Sequence, residues 1–194
     1  MRLKGKRIGF GLTGSHCTYD EVVPQFEKLL KEGATVIPFV TYTVKNTVTK
    51  FGDGRDWVKK VEEITGHEAI DTIVKAEPFG PEKPLDCMVI APMTGNSISK
   101  FANAMTDSPV LMGAKATLRN QRPVVLGIST NDGLGLNGVN IMKLMATKNI
   151  YFIPYGQDSP HTKPNSLVAN MDLLVDTIVA ALEGRQYQPV LIAK

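Results

Sequence analysis

The chain is short of cysteine, of blocks of like charge and of long apolar runs, and each shortage removes a class of function. Two cysteines, Cys17 and Cys87, in 194 residues make no disulfide framework, and together with the three histidines they show no metal-ligand spacing. No stretch approaches the ~20 consecutive apolar residues of a membrane-spanning helix. The opening MRLKGKRIGFG lacks the apolar segment of a secretory signal. Lysine and arginine number 22 against 19 aspartates and glutamates, and the two signs alternate along the chain. Without a basic stripe, nucleic acid is not an expected partner. The expectation is a cytoplasmic globular protein with no membrane contact.

What is present is a regular alternation of apolar runs and amphipathic stretches. Residues 8–11, 34–40, 86–92, 123–129 and 150–155 read as strands, and the near-continuous apolar character of DCMVIAP implies burial on both faces. Helices are expected between them: 19–32 behind a Thr18–Glu21 capping box, 57–74 interrupted near Gly66, 97–105, 111–118, 137–148 and 167–183. The polar TYTVKNTVTKFGDGRD reads as irregular. Strands alternating with helices predict an α/β fold, a single domain over 1–194 with a parallel sheet between two helix layers.

In such sheets ligands sit beyond the carboxyl ends of the strands, so the loops that follow strands matter most. LTGSHCT precedes a helix start, whose free N–H groups attract anions. Gly14 there permits close backbone approach, and Thr13 and Ser15 add hydroxyls. Gly9, Gly11 and Gly14 space as G-x-G-x-x-G, but Gly9 falls inside the strand. After the second strand, PFVTYT offers hydroxyls in place of the ribose-binding acid. A mononucleotide phosphate fits this pattern better than a dinucleotide.

The third loop carries a family resemblance. IAPMTGNSISKFANAMTDSPV resembles the Pro-Ala-Ser-Ala-Asn loop of the homo-oligomeric flavin-containing cysteine decarboxylases, with Pro92, Met93, Thr94, Gly95 and Asn96 in the motif and Thr106-Asp107 beyond it. LTGSHCTYDEV resembles that family's first flavin loop. GISTND stands where many members have Pro-Ala-Met-Asn, and only Asn131 matches. Within this superfamily, the run from APMTGNS to GISTNDGLG, with AEPFGPEKP, is similar to the B subunits of the dipicolinate synthases of spore-forming bacteria.

That resemblance implies a flavodoxin/Rossmann-like three-layer fold and a flavoprotein subunit, inactive alone. It implies that the partner is the nicotinamide-dependent A subunit of dipicolinate synthase, which supplies NADP or NAD, and that the substrate is a small dicarboxylate. Together the two would oxidise a dihydrodipicolinate-type intermediate to dipicolinic acid in the mother cell during sporulation. It implies FMN, with Thr13, Gly14 and Ser15 near the phosphate and ribityl chain, Thr41 at the phosphate, and Thr94, Gly95, Asn96 and Ser97 along the isoalloxazine. Pro92 and Asn131 complete the expected cofactor set. A homo-oligomer is implied too, with the apolar region after Asn96 as a contact surface. The alternatives are an FMN-dependent decarboxylase or prenyltransferase of the same superfamily, or a non-catalytic scaffold for the A subunit.

Other reactive residues are read more plainly. The decarboxylases carry a histidine shortly before the third strand, but PFGPEKP separates His67 from that strand, so His67 is not an expected equivalent. His16 and Cys17 are adjacent and point apart, which disfavours a nucleophile–base pair. A pyridine dicarboxylate needs cations to recognise it, and Lys100, Lys115 and Arg119, which follow the third loop, are the ones that could face the pocket. Most charge on a helix faces solvent, and that is their expected place. Met105, Met112, Met142 and Met145 are expected in the core or at a contact between subunits.

Overall fold

The computed structural model describes residues 1–193. β1 (Arg7–Leu12), buried from Ile8 onward, leads through a 3-10 turn at His16–Thr18 into α1 (Tyr19–Lys31), which buries Val22, Val23, Phe26 and Leu29. Pro24 lies in the second turn of this helix, where its missing donor costs one hydrogen bond. The Thr18–Glu21 capping box does not form. The preceding turn holds Thr18 at φ −102°, ψ −2°, not in the extended conformation that aims a cap hydroxyl at the helix. Its hydroxyl instead donates back to Ser15 O at 2.8 Å.

β2 (Thr35–Val40) is followed by α2 (Tyr42–Asn46), the hairpin of β3 (Val48–Thr49) and β4 (Gly52–Asp53), and α3 (Gly54–Thr65). The stretch expected to be irregular is therefore ordered. Thr41 Oγ1 accepts from Val44 N and Asp53 Oδ1 from Arg55 N, so polar residues that look like loop composition are helix caps. α3 stops at Gly66, Ile70 bridges Phe39 alongside β2, and α4 (Ile73–Ala76) follows.

Next come β5 (Cys87–Met93), α5 (Gly95–Ala102), α6 (Pro109–Arg119), β6 (Val124–Thr130), α7 (Gly138–Met145) and β7 (Ile150–Phe152). The chain closes with β8 (Tyr155–Gln157), β9 (Leu167–Ala169), a 3-10 turn at Met171–Leu173 and α8 (Leu174–Leu182). The expected strand over 150–155 is thus two strands, and the expected helix over 167–183 begins as one. A short run such as LVA has no periodicity to separate strand from helix. Asn170 then ends it by accepting from Asp172 N.

The sheet runs β2-β1-β5-β6-β7, all parallel. At its carboxyl end β6 also pairs antiparallel with β9 through Ser129 and Thr130, and β9 pairs antiparallel with β8. The sheet is largely, not wholly, parallel. β1 explains the two helix layers. Phe10 stacks on Phe26 of α1, ring centroids 4.0 Å apart. A Cβ on Gly11 would stand 2.6 Å from Val110 of α6, and one on Gly9 would stand 2.5 Å from Leu85. The first two glycines of the G-x-G-x-x-G spacing therefore serve packing, Gly11 against α6 and Gly9 against Leu85, Met88 and Phe39. Phe10 and Phe26 are fully buried, each contributing about 1.5–3 kcal/mol of transfer free energy.

Candidate cofactor site

The strand order reverses at β1: the chain leaves it for β2 on one side and returns to β5 on the other. The crevice beyond the carboxyl ends of β1 and β5 is where open α/β sheets bind ligands. Thr13 ties its two lips together. Its Oγ1 donates to Pro92 O at 2.6 Å and accepts from Thr94 N at 3.0 Å, while the Tyr19 hydroxyl donates to Thr13 O at 2.7 Å. Burial pushes the Tyr19 phenol well above its ordinary pKa, which keeps it a donor.

Beside this seam lies a cavity of about 340 Å³, within the size range of small-molecule sites. Of the ten residues the resemblance implicates, Thr13, Gly14, Thr41, Thr94, Asn96 and Ser97 line it. The other four lie elsewhere. Ser15 Oγ shares a hydrogen bond of 3.1 Å with Ser129 Oγ. Pro92, after a cis peptide bond, is buried. The space a Cβ on Gly95 would take is held by Thr130, Asp132 and Asn137. Asn131 is exposed.

Sequence reasoning missed Tyr42, Thr43, Asp107, Ser108 and Leu111 as lining residues and favoured solvent over the pocket for Lys100, which also lines it. Signals for several were present. Ser108 before Pro109 is a helix-start pattern, and its Oγ accepts from Leu111 N at 3.2 Å. Lys100 is one helical turn beyond Asn96 and so shares its face of α5.

Seven of the twelve lining residues carry a hydroxyl. Three of these, Thr41, Thr94 and Ser108, cap helices with their side chains, so the starts of α2, α5 and α6 all border the cavity. Helix starts present partial positive charge and free N–H groups. Among the described residues the only charged ones lining it are Lys100 and Asp107, paired at 2.6 Å.

Residues 1–182 match the family model described as Flavoprotein. Over 190 residues the chain is 72% identical to the dipicolinate synthase B subunit of Bacillus subtilis (strain 168), covering 98% of this chain and 95% of that one. The chain belongs to the flavoprotein family, among the B subunits of dipicolinate synthase. Its fold superposes on the crystal structure of the dipicolinate synthase B subunit from Bacillus halodurans C with a TM-score of 0.93, at 71% identity and full coverage of both chains. The FMN-dependent cysteine decarboxylase SpaF shares the fold at a TM-score of 0.63 and 16% identity, covering 93% of this chain and 99% of that one.

The cavity wall is therefore one of hydroxyls and helix starts, with few charged groups. None of the histidines lines the cavity. His67 is exposed. His16 is buried, its Nδ1 3.3 Å from Gly14 O and its Nε2 without a hydrogen-bond partner among the described residues. Cys17 Sγ lies 3.6 Å from Ser15 Oγ. Cys87 is wholly buried, and burial pushes its thiol far up, so it is an inert core residue. Lys115 and Arg119 are exposed as expected, whereas Lys100 is not a solvated surface lysine but part of the cavity wall. Met105 and Met142 are exposed, and Met112 and Met145 are half-buried. Among the described residues no group of acidic, histidine or cysteine side chains is placed to hold a metal. No helix there is long and apolar enough to cross a membrane.

Proposed function

We propose that this chain is the B subunit of a dipicolinate synthase and holds FMN in the cavity between β1 and β5. It works with the nicotinamide-dependent A subunit in making dipicolinic acid during sporulation. The observation that carries the reading is the convergence of six expected flavin-loop residues on one hydroxyl-lined cavity at the strand crossover, in a chain 72% identical to a dipicolinate synthase B subunit.

The residues fit the group. A Cβ on Gly14 would come within 2.9 Å of Thr43 Cγ2, so Gly14 and Thr43 are in close contact and no side chain fits between them. With Thr41 they offer hydroxyl and backbone donors suited to a phosphate. Thr94, Asn96 and Ser97, at the start of α5, supply the few orienting groups a flat ring needs. Ser15, Pro92 and Gly95 then act by shaping the loops around the site, and Asn131, which is exposed, has no role in this reading. When bound, FMN supplies a two-electron acceptor. The overall reaction removes a hydride and a proton from a dihydrodipicolinate-type ring, and the nicotinamide acceptor, NADP or NAD, is held on the A subunit.

The test is a titration of the purified chain with FMN, followed by flavin fluorescence, beside Gly14→Asp. Saturable binding in the wild type, with loss of binding and unchanged far-UV circular dichroism in Gly14→Asp, supports the reading. Equal FMN affinity in the variant removes the phosphate from this loop. No binding in the folded wild type removes the flavin and favours a scaffold for the nicotinamide-dependent partner.

A further inference from the structure

We propose that Lys100 is the residue by which this cavity recognises an anion, and that Asp107 holds it in reserve. The proposal rests on the reading of the cavity as a binding site, and it concerns the charge of what binds there. The expected substrate is a dicarboxylate and the expected cofactor a phosphate ester. Both present oxyanions, and among the described residues the cavity wall contains one cation, Lys100. Lys115 and Arg119 are exposed on α6 and line no part of it.

The partnership of Lys100 is suited to exchange. Its Nζ donates to Asp107 Oδ2 at 2.6 Å, with the lysine side chain 29% exposed and the aspartate 48%. The carboxylate is the wetter partner, and an ion pair this exposed contributes little, so Asp107 loses little when it is released to water. An ammonium has three donors, and the bond to Asp107 uses one of them. An oxyanion entering the cavity meets this ammonium together with the starts of α5 and α6, capped by Thr94 and Ser108, and hydrogen bonds between ionised partners are the stronger class. Asp107 opposes the same anion by like charge. The pair therefore sets affinity from both sides: Lys100 raises it and Asp107 limits it.

This makes a test of sign. If the pair were only structural, breaking it from either end would have the same effect. If Lys100 recognises an anion, Lys100→Met and Asp107→Asn act in opposite directions. The probes are FMN, riboflavin and dipicolinate, titrated against wild type and both variants, with thermal melts reporting folding. Lys100→Met is expected to weaken at least one anionic probe by about tenfold or more, while Asp107→Asn tightens the same probe. Riboflavin, which lacks the phosphate, should bind both variants as it binds wild type.

A shift confined to FMN assigns Lys100 to the phosphate, and a shift confined to dipicolinate assigns it to the substrate carboxylate. Weakening by both substitutions, or no change by either in a wild type that binds, overturns the proposal. So does a wild type that binds neither anion. A wild type that binds dipicolinate but not FMN removes the flavin and leaves Lys100 to be judged on dipicolinate alone.

Discussion

Thr13 and Thr94 are joined across the seam between β1 and β5: the Thr94 amide donates to Thr13 Oγ1 at 3.0 Å. The same hydroxyl donates to Pro92 O at 2.6 Å, so one side chain fixes the end of β5 and the residue that caps α5. A residue expected to touch a flavin through its hydroxyl has that hydroxyl's proton and one of its lone pairs engaged within the protein. Its contribution to the cavity is to set where Thr94, Asn96 and Ser97 stand.

Thr13→Val keeps the shape and removes both bonds, leaving a carbonyl and an amide unpaired. At about 1–3 kcal/mol for each unsatisfied group, the variant should lose several degrees of Tm and bind FMN more weakly. Thr13→Ser keeps the hydroxyl and should recover most of both. Thermal melts and FMN titrations on the three proteins check this. If Val and Ser behave alike, the hydroxyl does not organise the seam.

Much of this architecture was legible because burial leaves a strong trace. A strand covered on both faces must be apolar throughout, and DCMVIAP and PVVLGIS could be little else. The neighbourhood of the site was legible because it lies in the loops that follow strands, whereas the crossover at β1 is known only from the strand order of the folded sheet. Cap chemistry at Thr41 and Asp53 was harder to see, because a capping hydroxyl or carboxylate looks in composition like a loop. β9 was illegible for a different reason: three apolar residues fit a strand or the first turn of a helix, and only pairing with Ser129 and Thr130 decides. The cavity was half legible. Motif residues named its floor, but Lys100, Asp107 and Ser108 reach it through the packing of α5 and α6, which no local pattern states.

Acid should unlock the N-terminal segment. Arg2 donates to Glu32 through Nε at 3.0 Å and through its backbone amide at 2.8 Å, and these bonds hold the Glu32 carboxyl down at about 2. Because the folded pKa lies below the unfolded one, the stabilising contribution is complete above the ordinary carboxylate range. It is lost as pH falls toward about 2. The site is exposed, so the effect should be modest and weaker in high salt. Urea midpoints measured from about pH 6 down to about pH 3 should fall less in Arg2→Met than in wild type. Parallel curves would show that this pair does not contribute to acid sensitivity.

Gly95 tests whether the loop after β6 is built into the site or merely lies near it. A Cβ there would stand 2.7 Å from Thr130 Oγ1 and 2.8 Å from both Asn137 Nδ2 and Asp132 Oδ1. Those three side chains are bonded to one another, Asn137 Nδ2 donating to Asp132 Oδ2 at 2.9 Å and Thr130 Oγ1 to Asp132 Oδ1. The extra methyl therefore meets a linked group, not one side chain free to rotate away. Gly95→Ala should destabilise the fold by about 1–3 kcal/mol, the usual cost of overpacking, and should displace the start of α5 from its place beside Thr94. Asp132→Ala removes the centre of the linked group, so the double variant Gly95→Ala/Asp132→Ala should lose less than the sum of the two single losses. Simple additivity in urea melts would mean that the loop and α5 do not share this contact.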